Sequence, residues 1–218
     1  MTVLYGVPVS LYVRKVMLAH AHKGVNYELA PTRPGSDEPD FVAASPLKKI
    51  PAYTTDKGTS FSDSTVIVAY LEKTSPTNSL YPENAELYAK ALWLEEYTDT
   101  KLAEVVTGLY YQRIIGPRVF NVATDSARVN ELIQTLIPQE LAYIESQLVA
   151  NEWTFNNTFS IADLGIGINL VSLRHADYHI DESQFPKLSE FNKRFMALDI
   201  VAQQIAQEEA VFASFAEQ

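Results

Sequence analysis

Two short stretches of this chain bring together residue types that can hold an amino-acid-like ligand. In Ser45-Pro46-Leu47-Lys48-Lys49-Ile50-Pro51-Ala52, Pro51 lacks a backbone N–H and so belongs at a strand start, an edge or a turn. The bond before a proline can be cis at modest cost. At a strand start that geometry turns the Ile50 N–H and C=O away from the sheet, toward an extended peptide-like ligand. About one strand later, Asp63-Ser64 precedes the helix-like run Thr65-Val66-Ile67-Val68-Ala69-Tyr70-Leu71. A helix N-terminus there offers backbone N–H groups and the Ser64 hydroxyl to a carboxylate, with Asp63 beside it for an ammonium. Those are the two charges of an α-amino acid. Either half alone is also what a proline-broken loop and an ordinary N-cap look like. The pair in this order is the informative observation.

Composition narrows the partners. The chain has 218 residues, 47% of them hydrophobic, enough to bury a core in one domain or two small ones. Its net charge of −10 opposes nucleic acid and anionic membrane surfaces. There is no cysteine, so disulfides, thiolate metal sites and a protein-borne redox thiol are excluded. Any thiol chemistry must come from a ligand. Met1-Thr2-Val3-Leu4-Tyr5 enters strand-like sequence without the basic and apolar regions of a signal peptide. No apolar run approaches the roughly 18 to 20 residues that span a bilayer. A soluble cytoplasmic protein is expected, and Asn156-Asn157-Thr158 then reads as a loop and not as a glycosylated sequon.

The elements that must position the two stretches read as βαβ followed by ββα. Val3-Leu4-Tyr5 is a strand, and a helix starts near Leu11 with Val13, Val16 and Met17 on one face and Gly24 as its stop. Tyr27-Glu28-Leu29 is a half-buried strand, and residues 31 to 40 read as an exposed loop. Pro51-Ala52-Tyr53-Thr54 and Thr59-Ser60-Phe61 flank the turn Asp56-Lys57-Gly58. The breaker-rich Ser75-Pro76-Thr77-Asn78-Ser79-Leu80-Tyr81-Pro82 marks a boundary. Beyond it the period is helical: one long helix over 85 to 115, one from Asp125 that Pro138 should kink or split, and others from Ser160, Pro186 and Asp199. Ser160-x-x-Asp163 fits a capping box, with Phe159 and Leu164 at the staple positions.

Val9-Ser10-Leu11-Tyr12-Val13-Arg14-Lys15-Val16, the Ser45 to Pro51 stretch, Asp63-Ser64 and the Ser160…Asp163 box together resemble the cytosolic glutathione transferases of serine type. The resemblance covers essentially the whole chain. It implies an α/β thioredoxin-like N-terminal domain, residues 1–78, that binds glutathione. An all-α helical-bundle domain, residues 85–218, would contribute the acceptor-substrate pocket. It also implies a homodimer, glutathione as co-substrate, a hydrophobic electrophile as acceptor, and no metal. By the same resemblance Ile50, ahead of Pro51, pairs with the cysteinyl unit of glutathione, Asp63 and Ser64 hold its γ-glutamyl head, and Lys49 helps hold the glycine carboxylate. Ser10 falls where the family's serine contacts the sulfur. Leu11 departs from the proline that often follows that serine, and the shorter Asp63 from the commoner glutamate.

Rival readings stand beside these. Ser10 is also a plain N-cap for the helix at Leu11, and Tyr5 is the alternative sulfur ligand, placed early for that role. Tyr110, Tyr111 and Arg113 end the long helix where the family lines its acceptor pocket, although aromatics at helical spacing also build cores. His175 and His179 are expected as solvated helix-end residues, and His20 and His22 as surface residues. Gly165-x-Gly167 permits close helix packing. The function expected is activation of the glutathione thiol as a thiolate for attack on an electrophile. The alternatives are a non-catalytic interaction protein of the same fold and a glutathione-dependent isomerase or dehalogenase.

Overall fold

The computed structural model describes residues 1–149, 152–155 and 157–216; Asn156 of the sequon lies outside them. The chain forms two compact units, Met1–Leu80 and Tyr81–Gln218.

In the first unit β1 (Val3–Gly6), α1 (Leu11–Lys23), β2 (Glu28–Pro31), α2 (Pro39–Ala44), β3 (Ala52–Thr54), β4 (Ser60–Ser62) and α3 (Ser64–Thr74) follow in order. The sheet order is β2-β1-β3-β4, with β1 parallel to β2 and antiparallel to β3, and β3 antiparallel to β4. Side chains alternate across it. Leu4 and Tyr53, opposite each other, pack with Val13, Val16 and Met17 of α1 and Ile67 of α3. Tyr5 and Ala52 face the other way, onto Phe41 and Ala44 of α2. That short helix, which starts at Pro39, ends the loop expected over residues 31 to 40. Proline is favoured in a first helical turn because it has no N–H to leave unpaired there. Gly24 closes α1 in the left-handed region at φ 65°.

α1 is not the one-faced helix its spacing suggested. Arg14, Lys15 and His20 are fully buried as well, so the expectation of a surface His20 is wrong. Its Nε2 lies 3.1 Å from the Tyr53 hydroxyl and its Nδ1 2.9 Å from the Val25 carbonyl. Burial pushes its pKa down, against the backbone bond to Val25. Both ring nitrogens are satisfied when Nδ1 donates to Val25 and Nε2 accepts from Tyr53. Lys23, also buried, donates to the Ser75, Thr77 and Asn78 carbonyls at 2.7, 3.1 and 3.3 Å and pairs with Glu72 at 2.9 Å. It ties the end of α1 to the segment after α3.

Over its described residues the second unit is all helical. α4 (Ala85–Tyr97), α5 (Ala103–Tyr110) and α6 (Gly116–Val119) run on through wide π turns at Thr98–Leu102 and Tyr111–Ile115. α7 (Ser126–Glu131) and α8 (Ile137–Gln147) are likewise joined by a π turn at Leu132–Leu136. Pro138 sits in the first turn of α8, directly after that turn, where its missing N–H is accommodated. α9 (Ile161–His175), α10 (Pro186–Met196) and α11 (Asp199–Ala216) complete the unit. α9 is buried over nearly its whole length. A Cβ at Gly165 or Gly167 would collide with Thr98 Oγ1 or the Phe195 ring, so these glycines set how closely its neighbours approach. The Ser160–Asp163 capping box is present, and the carboxylate does more than cap. One oxygen accepts from Ser160 N and Oγ at 2.8 and 2.7 Å, the other from Thr154 N and Oγ1 at 2.8 and 2.6 Å. Burial pushes the Asp163 pKa up while these four bonds pull against it.

Candidate functional site

The register of the first sheet gathers the chemistry at one end. β1 ends at Gly6, and the chain turns into α1 with Ser10 at the N-cap position. Tyr5 pairs with Ala52, the first residue of β3, and Ala52 pairs with Ser62, the last of β4. The end of β1, the start of β3 and the end of β4 therefore share one edge. Ser10, Ile50-Pro51 and Asp63-Ser64 all emerge there.

Each residue has a local cause for its place. Ser10 has extended backbone, φ −76° and ψ 130°, and its carbonyl accepts the first helical bond from Arg14 N at 2.9 Å. Its hydroxyl makes no capping bond, so the plain N-cap reading does not use it. Ser10, a half-buried residue, stands at the positive end of a thirteen-residue helix. Tyr5 packs its ring 6.2 Å from Phe41 on the α2 face. The Ile50–Pro51 bond is cis, and Ile50 precedes the ladder that begins at Ala52. The loop before it is held by fully buried Ser45, whose Oγ accepts from Lys49 N at 3.1 Å and lies 2.8 Å from Lys49 O. Lys49 is exposed, while Lys48 pairs with Asp37.

Asp63 is the most constrained of the group. It lies at φ 87°, ψ 132°, a region that costs a non-glycine residue about 1–3 kcal/mol and tends to be retained at functional sites. Its Oδ1 accepts from Thr65 N at 2.9 Å and Val66 N at 3.1 Å. Those two N–H groups are thus taken by the protein itself, which corrects the expectation that several were open to a ligand. The Ser64 N–H and hydroxyl remain, on a residue only 4% exposed.

Sequence reasoning missed Lys15, whose Nζ donates to Thr65 Oγ1 at 3.1 Å. Buried between α1 and α3, it locks the helix carrying Ser10 to the helix carrying Ser64. Its signal was the cation pair Arg14-Lys15 set between apolar residues.

In the second unit the three expected pocket residues separate. Tyr110 is buried, its ring 6.3 Å from Phe212. Tyr111 is 40% exposed and stands 6.4 Å from Phe120. Arg113 spends its guanidinium on the Ala176 and Asp177 carbonyls, at 2.6 and 2.9 Å. It also lines a cavity of about 450 Å³ with Ile133, Pro138, Tyr178 and Phe185, which neither tyrosine joins. His175 is buried against Glu208 at 2.8 Å, which overturns its reading as solvated; His179 is exposed beside Asp177.

A small mixed sheet with two helix N-termini at one edge, followed by a unit that is helical over its described residues, defines a thioredoxin-like domain followed by a helical domain. Residues 4–79 match the glutathione S-transferase N-terminal domain and residues 117–208 its C-terminal domain. The chain is 28% identical over 189 residues to glutathione S-transferase D7 of Anopheles gambiae, covering 85% of this chain and 82% of that protein. It is 24% identical over 194 residues to maleylacetoacetate isomerase of Rattus norvegicus, covering 85% and 83%. The crystal structure of a glutathione S-transferase from Rhodospirillum rubrum F11 superposes with a TM-score of 0.83 at 22% identity, covering 94% of this chain and 91% of that one. The chain belongs to the glutathione S-transferase family of enzymes. Among the described residues no helix is long and apolar enough to cross a membrane.

Proposed function

We propose that the chain binds glutathione at the edge where Ser10, Ile50 and Ser64 meet, and activates its thiol as a thiolate for attack on a hydrophobic electrophile. The observation that carries this reading is the uncommitted Ser10 hydroxyl at the N-terminus of α1. A free thiol has a pKa of about 8.5 and is mostly protonated at neutral pH. A hydrogen bond to a charged acceptor contributes about 1.5–3 kcal/mol, equivalent to roughly one to two pKa units, and the helix end adds to it. In this reading the Ile50 backbone aligns the cysteinyl unit like one more strand. Ser64 takes the γ-glutamyl carboxylate, the second oxygen of Asp63 takes its ammonium, and Lys49 takes the glycine carboxylate. Tyr110 and Tyr111 serve as acceptor-pocket residues in this reading, while Arg113 is spent on the Ala176 and Asp177 carbonyls just past α9.

The reading includes a homodimer in the cytoplasm, with no metal and neither nucleic acid nor membrane as partner; the charge of −10 supports the last two. A second reading uses the same thiolate for isomerisation, and the maleylacetoacetate isomerase relative favours it. Retention on immobilised glutathione, followed by turnover against a panel of alkylating and cis-enone substrates, tests both. Retention with conjugation supports the first, retention with isomerisation alone supports the second, and no retention refutes both.

A further inference from the structure

The C-terminal helix α11 is fastened to the end of α9 by a polar pair where apolar side chains would have served for stability. His175, the last residue of α9, places Nε2 2.8 Å from Glu208 Oε2, with the imidazole almost covered and the carboxylate fully so. Gln204, one turn back, donates to Glu208 Oε1 at 2.7 Å. One turn on, Phe212 meets the His175 ring edge to face, at 5.0 Å and 72°. Gln204, Glu208 and Phe212 thus share a stripe of α11 at i, i+4 and i+8. Phe212 meets the Tyr110 ring at 6.3 Å and 65°, under the Arg118 guanidinium at 5.9 Å. An exposed pair, Arg174–Glu209 at 2.9 Å, runs alongside.

Burying a carboxylate is costly, and replacing a buried polar pair by apolar groups of like volume is often neutral or stabilising. What the polar pair supplies instead is direction. The His175–Glu208 bond joins α9 to α11 and sets the rotation of α11, while the Gln204 bond within α11 orients the carboxylate; together they set the face that Phe212 turns to Tyr110. We infer that His175 and Glu208 are positioning residues for acceptor selectivity, holding Phe212 as the backing of the Tyr110 wall. The inference rests on the reading of Tyr110 as a pocket residue. Neither His175 nor Glu208 touches the acceptor; they act through Phe212.

The test measures kcat/KM of the full-length enzyme with saturating glutathione and two acceptors that share a reactive group, methyl and phenethyl isothiocyanate. His175→Leu keeps the bulk and removes the bond. It should shift the phenethyl-to-methyl ratio about three- to tenfold, through acceptor KM, with the glutathione KM within about twofold. His175→Gln, which keeps a donor for Glu208, should restore most of the parental ratio. A purely structural role would lower the active fraction and leave the ratio alone. Phe212→Leu, which spares the polar pair, should shift the ratio in the same direction and stands in if His175→Leu fails to fold. An unchanged ratio in these variants, while Tyr110→Ala shifts it, overturns the inference and leaves the pocket reading intact. An unchanged ratio in Tyr110→Ala overturns the pocket reading, and the inference with it.

Discussion

Replacing Asp163 by alanine should cost far more than a lost helix cap. A capping side chain contributes about 0.5–2 kcal/mol, but this carboxylate is fully buried and accepts four hydrogen bonds, two from Ser160 and two from Thr154. Ser160 and Thr154 are each 2% exposed, so water cannot take over their N–H groups. Each orphaned buried donor costs about 1–3 kcal/mol, while the two hydroxyls can rotate toward other acceptors. The expected loss for Asp163→Ala is therefore about 3–5 kcal/mol, in the range where single substitutions report on a buried network. Asp163→Asn retains one carbonyl oxygen and one of the two donor pairs, and should lose about half as much. Urea unfolding followed by tryptophan fluorescence, from Trp153 packed edge to face on Phe159 at 5.0 Å and from the exposed Trp93, reads the loss. Circular dichroism at 222 nm reads it over the whole helical unit. Unfolding curves that overlay the parent for Asp163→Ala would refute the reasoning, as would equal losses for the Ala and Asn variants.

Two further predictions follow from the first unit. Ser64→Ala should weaken glutathione binding by about 1–3 kcal/mol with the fold intact, because Ser64 carries the N–H and hydroxyl that the Asp63 cap leaves open; titration calorimetry with unchanged affinity would remove it from the site. His20 has its pKa lowered from 6.5 by burial. As pH falls through that value the unfolded chain takes up a proton that the folded one refuses, so stability should drop below it and stay level above it. His20→Gln, which keeps hydrogen bonding without the titration, should flatten the slope of unfolding free energy between about pH 7 and 5; an unaltered slope would contradict this.

The parts legible in the chain are those decided by near neighbours. Pro51 needs an N–H-free position, Gly24 a left-handed stop, and Ser160 and Asp163 lie one turn apart, so each shows itself within a few residues. The two-part fold followed from the change of period after Pro82. What stayed hidden was the fate of polar side chains whose partners are remote in sequence. His20 is buried by Tyr53, Lys15 by Thr65, Lys23 by the residues after α3, and His175 by Glu208. A short window sees only a titratable residue on a helix and places it in water. The cap at Asp63 was one of two readings the sequence left open, since a capping and a ligand-binding aspartate have the same sequence signature.

The central claim is that Ser10 stabilises the glutathione thiolate, and the pH dependence of Ser10→Ala tests it most directly. Removing the donor should raise the bound thiol's pKa, leave glutathione affinity nearly unchanged, and lower kcat/KM near neutral pH by roughly ten- to a hundredfold. The deficit should shrink as pH rises through about 8.5, where solvent deprotonates a thiol unaided. Tyr5→Phe, measured in parallel, should change little, because Tyr5 lies against Phe41 on the α2 face of the sheet. A Ser10→Ala enzyme with the parental pH–rate profile would contradict the account, and a collapse in Tyr5→Phe alone would move the sulfur contact to the tyrosine.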